Sequence, residues 1–222
     1  AEGQGMWGRH GRRGMIWSSH RSFCFIHIPK TGGTTIAAAY EPHMRFDDVV
    51  LGGTLLGEQL QGRYRDRFGL HKHSGARAVI NAAGADSFAQ VFSFALLRHP
   101  VDRMTSLYRW LRGLPNSTHP LHGPAHALDF ASFVPLAREH FPTQAAHVKA
   151  NGQVAVSRLY RFEDLSFVWA EVSARLGIDA PLGHVNASRS GPVEVTPAAR
   201  AAIEAAYAED LALHGGIPPL RG

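Results

Sequence analysis

One cysteine, Cys24, stands in 222 residues, so no disulfide within the chain, zinc ribbon or CxxC redox centre can be built. Long apolar runs are missing too. The densest stretches, around Phe23 and Val91, fall well short of the ~18 residues a membrane-spanning helix needs. The first 21 residues lack the apolar segment of a secretory signal. The GxxxxGK[ST] pattern is absent because Lys30 precedes Gly32 and Gly33, and no strand ends on an evident magnesium-holding aspartate; both argue against an ordinary ATPase or kinase. What the chain does have is core-forming material: 45% apolar residues, with 12 Phe and 4 Trp, exclude a disordered protein.

The formal charge is +5, and 14 histidines add to it in mild acid, which favours anionic ligands. Arg9, Arg12, Arg13 and Arg21 lie among glycines without helical or strand periodicity, so residues 1–21 read as a flexible basic tail or a cloning remnant. Residues 22–222 are then expected to form a single domain. Ser22 to Ile28 is a buried strand running into a glycine turn, followed by a helix over 34–40 that Thr34 can cap. Val91 to Leu97 is a second strand, and Pro100 opens the helix after it. Helices are expected over 55–67, 75–83, 129–140, 163–176 and from Pro197 through Leu213, a strand over 154–160, and a surface loop over 114–126. Alternating strands and helices imply an α/β domain: a central parallel sheet flanked by helices on both faces, with ligands at the strand C-terminal ends.

The first strand, loop and helix can direct the amides around Gly32 and Gly33, with the helix dipole, at a phosphate or sulfate, and Lys30 adds a full charge there. An ordinary glycine-containing turn with an incidental lysine is the plainer reading. Phe25-Ile26-His27-Ile28-Pro29-Lys30-Thr31-Gly32-Gly33-Thr34-Thr35 resembles the 5′-phosphosulfate loop of sulfotransferases that use 3′-phosphoadenosine 5′-phosphosulfate (PAPS), most closely the carbohydrate branch. The strand ending Leu97-Arg98-His99-Pro100 and followed by Ser106 is similar to that family's second signature. The resemblance, spanning roughly residues 22–214, implies a P-loop-like three-layer fold. It makes Pro29, Lys30, Thr31, Gly32, Gly33, Thr34 and Thr35 the phosphosulfate site, with Arg98 and Ser106 on the 3′-phosphate. Two later stretches are also similar: Tyr160 to Leu165, where Phe162 stacks on the adenine or is simply a core aromatic, and His184 to Arg189, where Ser188 and Arg189 meet the 3′-phosphate or lie in solvent.

His71-Lys72-His73-Ser74 resembles the His-x-His segment of the heparan sulfate 2-O-sulfotransferases, which implies a histidine base for the acceptor hydroxyl: His73 first, His71 second. An imidazole titrating near ~6.5 would give activity rising between about pH 5.5 and 7.5. His73 can equally serve only as a cap for the following helix. A metal pair with His119, His122 and His126 is a further reading, but no carboxylate or cysteine completes a set, and no metal is expected. Cys24 reads as core. The implied reaction is sulfuryl transfer from PAPS, leaving 3′-phosphoadenosine 5′-phosphate (PAP), to a hydroxyl acceptor, by resemblance a saccharide. No nucleic-acid partner and no membrane span are expected, and the sequence leaves the oligomeric state unknown. The other classes open at this point are a nucleotide-binding module of the same fold without transferase activity, and a P-loop-like kinase. The lack of anchor and disulfides suggests a bacterial-type cytoplasmic enzyme, although a trimmed Golgi-lumenal domain would share both features.

Overall fold

The computed structural model describes residues 14–52, 55–183 and 191–220. In chain order these contain β1 (Ile16–Ser18), β2 (Phe23–Ile26), α1 (Gly33–Tyr40), β3 (Val49–Val50), α2 (Leu55–Phe68), α3 (Ala76–Ala83), α4 (Ala85–Gln90), β4 (Phe92–Leu97) and α5 (Pro100–Arg112). There follow α6 (His122–Ala127), α7 (Phe130–His140), α8 (Gln144–Val148), a small hairpin of β5 (Lys149–Ala150) and β6 (Gln153–Val154), β7 (Arg158–Arg161), α9 (Leu165–Leu176), α10 (Pro197–Ala206) and α11 (Ala208–Gly215).

The main sheet has the order β3-β1-β2-β4-β7. Its β2, β4 and β7 are parallel, in the register Phe25 to Phe94 to Arg158, and β1 runs antiparallel to both β2 and β3. Side chains alternate across this sheet with the period of two that a strand imposes. Phe23, Phe25, Phe94, Leu96 and Tyr160 pack on one face with Ile36 and Tyr40 of α1 and Val168, Trp169 and Val172 of α9. Cys24, Ile26, Ala95 and Leu97 pack on the other with Ala76 and Val79 of α3, Phe88 of α4 and Val148 of α8. This is the expected three-layer α/β architecture. Cys24 is fully buried, its thiol pushed up by burial, as expected of a core residue. A third apolar cluster joins α5, α6, α7 and α10 beyond the strand ends.

Several local expectations change. The basic tail does not run to residue 21: Met15 and Ile16 are buried, and β1 completes the antiparallel side of the sheet. Residues 1–13 lie outside the described residues. The loop expected over 114–126 contains the start of α6. The final helix divides at Tyr207, whose hydroxyl donates to the Phe141 carbonyl at 2.9 Å, into α10 and α11. Thr34 is not the cap of α1; that position is Gly32, in a left-handed conformation at φ 79° that only glycine adopts freely. No helix among the described residues is long and apolar enough to cross a membrane.

Candidate active site

The parallel strands β2 and β4 end side by side, delivering Lys30 and Arg98 to the same edge of the sheet. After β2 the chain turns through His27 to Gly32, and Thr31 Oγ1 donates to the Ile28 carbonyl at 3.0 Å, closing the turn from within. Lys30 itself is left-handed, at φ 69°, which is uncommon for a residue with a Cβ and marks a conformation held by its surroundings. Gly32, left-handed, followed by right-handed Gly33, makes a concave run of amides at the N-terminus of α1, a shape that suits an anion. Both glycines are required by packing. A Cβ on Gly33 would meet the His27 ring at 2.0 Å, and one on Gly32 would meet the Phe162 ring at 2.7 Å.

Arg98 follows β4. Its guanidinium lies 4.4 Å from the centroid of Phe162, and its Nη1 donates to the Lys30 carbonyl at 3.4 Å. Burial lowers its pKa, with Asp102 and Glu163 pulling the other way, and its Nε is buried without a protein partner. The Lys30 ammonium stands 4.8 Å from the ring centroid of Trp110 on α5. Ser106 is half-buried on α5, and Thr34 and Thr35 lie in the first turn of α1. Phe162 packs partly into the core and supports Arg98. Ser188 and Arg189 lie outside the described residues.

The segment before α3 reaches this edge from a different part of the chain. Gly75 approaches the backbone of His147 in α8 so closely that a Cβ would lie 2.8 Å from the His147 carbonyl oxygen. His71 to Ser74 is a tight turn: Ser74 N donates to the His71 carbonyl at 2.9 Å, and His71 N donates to Ser74 Oγ at 2.8 Å. The turn sets two different histidine tautomers. His71 Nδ1 accepts from His73 N at 3.2 Å, so a neutral His71 carries its proton on Nε2. His73 Nδ1 faces the His27 carbonyl at 3.1 Å, which can only accept, so His73 is protonated at Nδ1 and keeps a lone pair on Nε2. The rings of His27 and His73 are 4.7 Å apart.

Burial pushes the His73 imidazole down to about 3; the His27 carbonyl opposes this, while Lys72, His147 and His71 add to it. Burial likewise lowers His71, and lowers His147 to about 4. The ordinary imidazole pKa expected for His73 is therefore corrected: it is neutral at every pH near 7. His119, His122 and His126 sit in and before α6, where His122 Nε2 and His126 Nε2 bond the Leu114 and Leu111 carbonyls. Among the described residues no three His, Cys, Asp or Glu side chains are grouped to hold a metal.

Sequence reasoning missed Trp110, Arg103, Gln144 and Asp210. Only their distant partners in the fold give them a place, and no local pattern marks them. Two clefts lie elsewhere among the described residues: one of about 650 Å³ beside α9, lined in part by Trp169, Ala174 and Pro181, and one of about 500 Å³ beside α5, lined in part by Arg109, Arg112 and Glu194. Neither is lined by Lys30 or His73.

No family model matches the chain, and no curated protein sequence matches it. Among solved structures it is similar to a sulfotransferase from Alicyclobacillus acidocaldarius, at 18% identity over 89% of this chain and 85% of that one, with a TM-score of 0.34.

Proposed function

We propose that this protein is a sulfotransferase that moves a sulfuryl group from PAPS to the hydroxyl of a saccharide, with His73 as the base. The observation that carries the reading is the 3.1 Å contact between His73 Nδ1 and the carbonyl of His27, which sets a histidine with a free Nε2 lone pair beside the Lys30 loop. The loop's likeness to a phosphosulfate site supports the donor, and the His-x-His likeness supports the saccharide.

The residues present fit such a donor. The concave amides at Gly32 and Gly33, the Lys30 ammonium and the buried, unpartnered Arg98 Nε are all positive groups at one sheet edge. PAPS, when bound, supplies an activated sulfuryl group on a phosphate leaving group. Pro29 to Thr35 hold the 5′ end, and Lys30 neutralises the charge that grows on the departing phosphate. Arg98 and Ser106 hold the 3′-phosphate, with Ser188 and Arg189 proposed on the same group. Phe162 keeps the Arg98 guanidinium in place and offers the remainder of its ring to the adenine. His73 Nε2 accepts the proton of the acceptor hydroxyl, while His71, with its lone pair already used by His73 N, does not compete for it.

The direct test is to screen saccharide acceptors with radiolabelled PAPS; transfer of label supports the assignment, and PAP binding without turnover on any acceptor favours a nucleotide-binding module. A kinase would instead release phosphate from ATP with magnesium. Turnover is expected to survive EDTA with little change, and strict dependence on a divalent ion would move the assignment to the kinase. PAP is expected to bind far more tightly than 5′-AMP. Arg98→Ala should weaken PAP by tens of fold, since a charge-assisted contact contributes ~1.5–3 kcal/mol, and nearly erase that preference. Equal calorimetric affinities for the two nucleotides in the starting protein would remove Arg98 from the site.

A further inference from the structure

The carbonyls on either side of Lys30 are each held by an arginine. Arg103 Nε donates to the Pro29 carbonyl at 3.0 Å, and Arg98 Nη1 donates to the Lys30 carbonyl at 3.4 Å. No described peptide bond is cis, so fixing the Pro29 carbonyl turns the Lys30 N–H away from Arg103. Fixing both flanking carbonyls leaves Lys30 little freedom to relax from its left-handed φ of 69°.

Arg103 is itself held at Nε and Nη1, while its Nη2 is buried without a hydrogen-bond partner. It is 1% exposed, its guanidinium lies 3.9 Å from the Phe141 ring centroid, and its Nη1 donates to the Pro142 carbonyl at 2.9 Å. Nη1 also stands 3.8 Å from Asp210 on α11, which is fully buried. The two Asp210 oxygens accept from Gln144 N and Ala145 N, each at 2.8 Å. Gln144, also fully buried, clasps the backbone of Arg98 from both sides: its Oε1 accepts from Arg98 N at 2.9 Å and its Nε2 donates to the Arg98 carbonyl at 2.8 Å. One carboxylate is thus linked through Arg103 to the end of β2 and through Gln144 to the end of β4. A buried ion pair is a poor device for stability alone, because apolar side chains of similar volume usually do as well or better. Direction comes instead from the hydrogen bonds each partner makes: Arg103 presents its Nε and Nη1 to the Pro29 and Pro142 carbonyls, and Asp210 accepts from Gln144 N and Ala145 N, while the 3.8 Å contact between the two supplies charge.

We infer that Arg103 and Asp210 are positioning residues of the donor site, fixing the Lys30 turn and the Arg98 strand end at the separation at which both meet one anionic ligand. The inference rests on the donor reading above for its ligand, and its own content is the geometry of the loop. Neither residue touches the donor, so the effect must pass through Lys30 and Arg98.

The test is PAP titration by calorimetry, alongside amide hydrogen exchange, on the full chain and its Arg103→Lys and Asp210→Asn variants. Arg103→Lys keeps the charge and loses the fork. The dissociation constant is expected to rise roughly tenfold or more, since small displacements of binding groups have effects of this size, with stoichiometry staying near one. A role in folding alone would lower the stoichiometry and leave the dissociation constant of the remaining sites unchanged. Exchange over residues 27–35 should quicken by a similar factor while residues 93–96 in β4 stay protected. If affinity and loop exchange both match the starting protein, the inference is overturned. If PAP fails to bind even the starting protein, the donor reading falls, and loop exchange alone decides whether Arg103 positions the turn. Should both variants fail to fold, the starting protein decides: a through-hydrogen-bond coupling between Arg103 Nε–H and the Pro29 carbonyl is expected by NMR, and its absence overturns the inference.

Discussion

His73→Ala is expected to lower kcat by ~10²–10⁴, the usual range for loss of a general base, while leaving PAP affinity nearly intact. Lys30→Ala should damage both, because in the proposed role its ammonium meets the donor in the ground state and more strongly as charge develops on the leaving phosphate. The contrast follows from the proposed roles: His73, with its Nδ1 on the His27 carbonyl, is the proposed base for the acceptor, whereas Lys30 stands in the loop proposed to hold the donor. The pH profile adds a second signature. With its imidazole held at about 3, His73 is already unprotonated across the neutral range, so kcat/KM should show no imidazole limb between about pH 5.5 and 7.5. Burial thus keeps the base available at the cost of basicity. Steady-state kinetics of the two variants, with the acceptor found by screening, checks this directly. If His71→Ala abolished kcat while His73→Ala left it near normal, the tautomer assignment would be wrong and His71 would be the base.

Mild acid is expected to strip much of the protein's stability. His73 and His147 have folded pKa values of about 3 and about 4, against an ordinary imidazole value of 6.5, and burial lowers His27 in the same direction. Because the folded values are depressed, the unfolded chain takes up protons first. Stability is full above pH 6.5 and falls as the pH drops from there toward the folded values. At pH 4.5, His73 and His147 should each cost on the order of 2–3 kcal/mol. Together they are a large part of the ~5–15 kcal/mol that holds an ordinary domain folded. These rings lie with Lys72 and Lys30 in electrostatic reach, so charging one makes charging the next harder. Urea midpoints at pH 7.5 and pH 4.5 measure the effect; equal midpoints would show that the histidines are not held neutral. His147→Leu should recover part of the loss at pH 4.5, since it removes one group that must be charged on unfolding.

Much of the architecture was written in contiguous residues. The apolar run at 22–28 followed by Pro29, Gly32 and Gly33 specifies β2, its turn and α1, and the run at 91–97 followed by Pro100 specifies β4 and α5, because burial, turn and cap signals all lie within a few residues of the elements they control. Gly177, left-handed at φ 64°, stops α9 where it was expected to. The place of Lys30 and Arg98 at the C-terminal edge of the parallel strands was legible for the same reason, Lys30 standing four residues past β2 and Arg98 one past β4. Only the tertiary structure made β1 and β3 strands, since segments of three and two residues carry no periodicity: β1 forms against β2, and β3 against β1. It also divided the last helix at Tyr207, whose hydroxyl partner lies 66 residues away. The tautomers of His71 and His73 had no sequence signal, because that of His73 depends on a carbonyl 46 residues away. Arg103 and Asp210 were invisible on the same ground: hydrogen-bond direction and the pKa shifts of buried groups come from partners brought together by packing, and no local pattern of residues encodes them.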